Sequence, residues 1–185
     1  LILKSGTDRT RFIQELLQNA DDCIYPQRRT PSFMLTQRGN TIVTEYNEAG
    51  FTRANIRSIT AIGESTKNRL LNGDLRSIGE KGVGFKTVFA TASEVKIYSG
   101  EYNFALKAEE PTIPRLLNGV KEPVKGTRME ITLKDRSTTP SLKPTDILEL
   151  CLCLRQLKII DINGHRVSIN DTETQRTITI DKRPY

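Results

Sequence analysis

The sequence predicts an α+β fold, a two-layer sandwich with helices packed on one face of a mainly antiparallel sheet. Three observations predict it. Apolar residues recur at helical spacing from Asp8 to Ile24, short alternating segments rich in β-branched residues recur after residue 32, and the elements follow the order helix, strands, helix, loop, helix, strands. A chain of 185 residues is long enough for one domain with a real core and a small appendage.

In the first helix Phe12, Ile13, Leu16, Leu17, Ala20 and Ile24 share a face, and Thr7 or Asp8 is placed to cap its start. Pro26 to Pro31 reads as a loop, after which Ser32 to Thr36 and Thr41 to Tyr46 predict a hairpin turned at Arg38-Gly39-Asn40. Thr52 caps a second helix over Arg53 to Ile62, in which Ile56, Ile59 and Ile62 lie together. Gly63 to Ser77 is polar and punctuated by glycine, and reads as a lid between two ordered elements. Gly79 to Gly84 is a glycine-rich turn leading into a helix over Phe85 to Thr91. Glu94 to Tyr98, Tyr102 to Lys107 and Arg128 to Leu133 predict three strands, the last two separated by a proline-bearing loop. Beyond Pro140 to Pro144, a helix capped at Thr145 or Asp146 runs to Gln156. Lys158 to Ile162 and Val167 to Ile169 then form a hairpin through Asn163-Gly164, with Thr177 to Ile180 as a third strand. Residues 1–137 are the expected core, and 138–185 an extension that either continues the sheet or opens a next domain.

Composition narrows the function classes. The chain opens on Leu1 and carries no charged-then-apolar leader, the pattern of a piece of a longer protein. No apolar run approaches the roughly 20 residues that span a bilayer. Cys23, Cys151 and Cys153 are an odd set without metal-ligand spacing and His165 is the only histidine, which argues against a disulfide framework or a zinc site. A reducing intracellular setting, cytoplasmic or nuclear, is expected. The formal net charge of +6 favours an anionic partner, a description that nucleotide and nucleic acid both meet.

Two constellations carry chemistry. Glu15, Asn19 and Asp22 stand at i, i+4 and i+7, one polar stripe beside the apolar face of the first helix. An amide oxygen such as that of Asn19 is a hard ligand suited to magnesium, and a carboxylate one turn away, Glu15, could orient or deprotonate water. Spacing alone also fits a solvated helix face. In Gly79-Glu80-Lys81-Gly82-Val83-Gly84-Phe85-Lys86-Thr87, three glycines precede a helix, where bare amides can cradle phosphates. The P-loop pattern needs Lys directly after the last Gly, and Phe85 intervenes. A tight turn is the alternative.

Taken together, these boxes resemble a known family. Glu15-Leu-Leu-Gln-Asn19-Ala-Asp-Asp22, Asn47-Glu-Ala-Gly50-Phe51, Gly63-Glu-Ser-Thr-Lys67, Ile78-Gly-Glu-Lys-Gly-Val-Gly-Phe85-Lys86 and Gly126-Thr127 occur in the order of the GHKL ATPases. The form is similar to the heat-shock protein 90 branch, most closely sacsin and NO VEIN-like proteins, over about Thr10 to Leu133. The resemblance implies the Bergerat fold, with ATP and Mg2+ bound between helices and sheet under a lid at Gly63 to Ser77. It implies Glu15 as general base, Asn19 as the magnesium ligand and Asp22 as a polar wall near the sugar and phosphates. Gly79, Gly82 and Gly84, with Lys81, Val83 and Phe85, would close on the phosphates, Ser65, Thr66 and Lys67 would lie at the lid, and Thr127 would support the adenine end. Lys86 would lie near phosphate charge, with a surface lysine as the alternative reading for both Lys67 and Lys86.

One box departs from the pattern. The family's adenine-reading aspartate belongs in Asp-x-Gly-x-Gly, whereas Tyr46-Asn47-Glu48-Ala49-Gly50 has no aspartate and one glycine fewer. Direct alignment puts Tyr46 at that place, while Asn47 or Glu48 offers the side-chain oxygen that an exocyclic amine needs. Shaping of the turn by both residues is the alternative.

The expected function is that of an ATP-Mg-binding domain in a larger chaperone-like or regulatory protein. It would hydrolyse ATP slowly on lid closure, using a basic residue from a further domain. The alternative is a nucleotide-binding switch without significant turnover. ATP or ADP, other domains of the parent chain and protein clients are the expected partners, with no membrane. Direct nucleic-acid binding would rest on the charge, Arg28-Arg29 and Lys182-Arg183, and is disfavoured because basic and aromatic residues do not interleave. A sensor histidine kinase is disfavoured because no upstream helix carries a phospho-acceptor histidine.

Overall fold

The computed structural model describes residues 8–60, 85–118, 124–134 and 142–184. Helix α1 (Asp8–Asp21) leads into strands β1 (Ser32–Arg38) and β2 (Thr41–Tyr46), and helix α2 (Arg53–Thr60) follows. A 3-10 turn at Thr87–Ala90 precedes β3 (Ala92–Gly100), β4 (Tyr102–Lys107), β5 (Glu110–Leu116) and β6 (Val124–Leu133). Helix α3 (Pro144–Cys151) then leads to β7 (Ile159–Ile162), β8 (His165–Asp171), β9 (Arg176–Ile180) and β10 (Arg183–Pro184). The strands form one ten-stranded sheet in the order β10-β9-β8-β7-β1-β2-β6-β3-β4-β5. Every neighbouring pair is antiparallel except β1 and β7, which run parallel because the chain returns to the sheet through α3. The fold class is thus α+β with a mainly antiparallel sheet, and the strands after α3 extend that sheet.

Alternation along the strands explains where the core sits. Ile42, Thr44 and Tyr46 on β2, Val95, Ile97 and Ser99 on β3, and Thr127, Met129 and Ile131 on β6 are buried at every second position. The apolar residues among them meet Phe12, Ile13, Leu16, Leu17 and Ala20 of α1, Ile59 of α2 and Ile147, Leu150 and Cys151 of α3 in a single apolar cluster. Thr52 and Asn55 start α2 reciprocally: the Asn55 Oδ1 accepts the Thr52 N–H at 2.8 Å, and the Thr52 Oγ1 accepts the Asn55 N–H at 3.3 Å. In α3 the Asp146 carboxylate accepts the Lys143 N–H at 2.8 Å.

Several elements differ from the sequence expectation. Helix α1 ends at Asp21, and Ile24, expected on its apolar face, is 72% exposed. Helix α3 ends at Cys151, not Gln156, because the amides of residues 155–157 bond to the Asp21 carboxylate and leave the helical path. Of the helix expected over Phe85 to Thr91, Phe85 and Lys86 are α-helical and Thr87–Ala90 tighten into the 3-10 turn, whose last carbonyls at Phe89 and Ala90 receive the Lys134 ammonium at 2.7 and 3.4 Å. The proline-bearing loop after β4 contains β5, which Pro111 and Pro114 permit because it is the outermost strand of the sheet.

Candidate functional site

A cavity opens between α1, α2 and the strip of sheet formed by β2 and β6. Helix α1 supplies Asn19, with Cys23 just beyond its end. Glu48 and Phe51 come from the segment after β2, and Asn55, Ser58 and Ile59 form one stripe of α2 at i, i+3 and i+4. Tyr46, Met129 and Phe85 complete the lining, which is more apolar than polar. Among the described residues no group of three or more His, Cys, Asp or Glu side chains could hold a metal ion, and no helix is long and apolar enough to cross a membrane.

The polar end of this cavity is built on strand register. Thr127 of β6 lies opposite Tyr46 of β2 on one side and Ser99 of β3 on the other, a row of three on the helix-covered face. Gly126 makes the close approach possible: its φ is +100°, and a Cβ there would stand 2.3 Å from the Tyr46 carbonyl oxygen. Two residues past Tyr46, the Glu48 side chain is buried, 5% exposed, and its Oε1 accepts the Thr127 hydroxyl at 2.6 Å. Thr127 also hydrogen-bonds Ser99, whose oxygen accepts the Phe51 N–H at 2.7 Å. A hydroxyl has one hydrogen, and that of Thr127 goes to Glu48, so Ser99 donates to Thr127. The relay therefore runs in one direction, from the Phe51 amide through Ser99 and Thr127 to Glu48. Among the described residues Glu48 Oε2 has no protein donor, and Glu48 is one of the residues that line the cavity.

The surroundings are kept neutral. Burial drives the Tyr46 hydroxyl well above its ordinary value, with Cys23, Glu48 and Tyr25 adding to the rise and the Thr127 hydroxyl opposing it. Tyr25 is raised mainly by burial and then by Cys23, Glu48 and Asp21, and its hydroxyl donates to the Ala20 carbonyl at 2.9 Å. Both phenols stay protonated, and Glu48 stands near them without a cation bonded to its carboxylate among the described residues.

The structure brings some of the expected site residues together and separates others. Asn19, Glu48 and Phe85 line the cavity. Glu15 is half-buried one turn before Asn19 on α1. Thr127 stands behind Glu48 instead of at the cavity surface, and Gly50, at φ +92°, turns the chain between Glu48 and Phe51. Asn47 faces elsewhere: its Oδ1 accepts the Ser32 N–H at 2.8 Å and its Nδ2 donates to the Thr30 carbonyl at 2.9 Å, pinning the loop before β1. Asp22 turns to Arg155, 2.9 Å away, and Cys23 takes the cavity wall at that end of α1. Ser65, Thr66, Lys67, Gly79, Lys81, Gly82, Val83 and Gly84 lie outside the described residues, as does the expected lid.

The chain is similar to part of Protein NO VEIN from Arabidopsis thaliana. The two are 38% identical over 114 residues, which is 62% of this chain and 4% of that protein. The chain thus matches a small piece of a NO VEIN chain many times longer. No protein-family model matches the chain.

Sequence reasoning missed Ser99, Met129 and the α2 stripe. Ser99 carried a signal, since it is the polar member of the inward series Val95, Ile97, Ser99. Met129 follows Thr127 at the strand period of two, on the same face. The Asn55 and Ser58 positions flank the apolar face of α2, where helical spacing put them beside Ile59.

Proposed function

We propose that the cavity is an adenine-nucleotide site of Bergerat type in a larger chaperone-like or regulatory protein, with Glu48 reading the base. The observation that carries this reading is the buried Glu48 carboxylate in the lining of a largely apolar cavity, bonded by Thr127 on one oxygen and without a donor on the other among the described residues. A buried carboxylate is costly unless its oxygens meet donors, and a flat heterocycle bearing an exocyclic amine supplies both the donor and the apolar faces. Phe51, Ile59 and Met129 offer the surfaces for such a ring. Similarity to part of NO VEIN and the family-like order of the sequence boxes support the same reading.

The residues present fit ATP with Mg2+. Asn19 offers an amide oxygen at the cavity, hard enough for magnesium, which shares its remaining positions between phosphate and water. Bound there, magnesium would neutralise phosphate charge. Glu15, one turn earlier on α1, is placed as the base for an attacking water, so slow hydrolysis is the proposed turnover. A nucleotide-binding switch without turnover shares the same site and differs only at Glu15.

Isothermal titration of ATP-Mg tests binding. Glu48→Ala should weaken ATP by roughly tenfold to a hundredfold, the value of a hydrogen bond to a charged group. Wild-type protein that takes up no ATP would sink the reading, and an Asn19→Asp variant with unaltered affinity would remove the magnesium role. Phosphate release compared between wild type and Glu15→Ala separates hydrolysis from a switch.

A further inference from the structure

We infer that Ser99 is a specificity-determining positioning residue: it orients the Thr127 hydroxyl onto Glu48 Oε1, leaving Oε2 as the single acceptor offered to the bound base. The inference rests on the reading of the cavity as an adenine-nucleotide site. Its physical content is the polarity of the relay. The Ser99 oxygen is occupied by the Phe51 N–H at 2.7 Å, so its hydrogen points at Thr127. Thr127, receiving that hydrogen, turns its own toward Glu48 Oε1 at 2.6 Å. Main-chain geometry thereby sets which carboxylate oxygen is spent and which is free.

A solitary free oxygen suits a base edge with one N–H donor beside an acceptor, as in a 6-aminopurine. A carboxylate with both oxygens available suits an edge with two adjacent N–H donors, as in guanine. Ser99 is fully buried, and its inward neighbours on β3, Val95 and Ile97, are apolar. A polar side chain at such a position is costly unless it is hydrogen-bonded, and here both of its bonds serve the relay. Thr127 and Glu48 are 79 residues apart, and Ser99 is the residue of β3 in register with Thr127.

The test compares ATP with purine riboside triphosphate, which lacks the 6-amino group, by calorimetric titration of the intact protein. Wild type should prefer ATP by about tenfold or more, the penalty for leaving a buried acceptor unpaired. Ser99→Ala should shrink that preference to roughly threefold or less while purine riboside triphosphate binds as before, and Ser99→Thr, which keeps the hydroxyl, should retain it. Equal weakening of both ligands in Ser99→Ala would mean a merely structural role and overturn the inference, as would an undiminished preference. If Ser99→Ala does not fold, Thr127→Val breaks the same relay, and a preference that survives there overturns the inference. Wild type that binds both triphosphates equally removes base reading by Glu48 and this inference with it, but leaves nucleotide binding standing. Wild type that binds neither removes the proposed function as well.

Discussion

The Asp21 carboxylate, at the end of α1, accepts the backbone N–H of Leu157 at 2.8 Å, and the N–H groups of Arg155 and Gln156 at the same distance. Gln156 returns the contact by donating to the Asp21 carbonyl at 2.6 Å and the Cys23 carbonyl at 3.1 Å. On the other side of that turn, Arg176 of β9 donates to the carbonyls of Leu152 and Leu154. The helix that carries Glu15 and Asn19 is thereby fastened to the strands after α3.

Removing the carboxylate strands three amides in a turn it had satisfied. Asp21→Ala should lower unfolding free energy by about 3 kcal/mol, since each unsatisfied buried group costs about 1–3 kcal/mol and part of the turn can rehydrate. Urea denaturation reads this directly. A loss below about 1 kcal/mol would mean that the clasp is dispensable.

A methyl group at Gly126 has nowhere to go. Its Cβ would stand 2.3 Å from the Tyr46 carbonyl oxygen and 3.0 Å from the Asn47 Cα, at a φ of +100° that L side chains rarely adopt. Gly126→Ala should destabilise by about 2–4 kcal/mol, combining strain with displacement of backbone. Because the displaced strand carries Thr127, ATP affinity should fall in the same variant, measured by titration well below its melting temperature.

Neighbouring residues Asn47 and Glu48 should behave oppositely. Asn47 closes two hydrogen bonds to main chain, so Asn47→Ala should cost about 1–2 kcal/mol of stability and leave ATP affinity within roughly twofold. Glu48→Ala removes a buried carboxylate, so stability should hold or rise while ATP affinity drops. Paired melting and titration measurements check both. Weakened ATP binding in Asn47→Ala would move base reading to that residue.

Acid should loosen the hairpin of β8 and β9 first. Hydrogen bonds from Arg176 and Lys158 hold the Asp171 carboxyl far below the usual range, and His165 with the Arg166 N–H lowers that of Asp181. A carboxyl depressed by folding contributes stability that is complete above the unfolded value of about 3.9 and is lost as pH falls toward the folded value. Amide exchange in β8 and β9 should therefore accelerate between about pH 4 and pH 2, and Asp171→Asn should show less of that pH dependence. Exchange in β8 and β9 with no such change over that range would overturn the assignment to Asp171 and Asp181.

The sequence by itself determined the elements whose signals are periodic. Helical spacing placed Leu16, Leu17 and Ala20 of α1 in the core, and residue pattern marked Thr41 to Tyr46 and Arg128 to Leu133 as strands. It left the base-reading place open among Tyr46, Asn47 and Glu48. Only the tertiary structure shows that Tyr46 and Glu48 line the cavity while Asn47 bonds to main chain elsewhere. Asn47 and Glu48 both lie just past β2, where the chain bends, and which of them faces the cavity depends on pairing with strands far along the chain. The same holds for Asp22, whose partner Arg155 is 133 residues away, and for Ser99, which meets Thr127 only because β3 and β6 pair in that register. Local periodicity follows from bonds between near neighbours, whereas the direction of a relay follows from contacts that exist only once the sheet has closed.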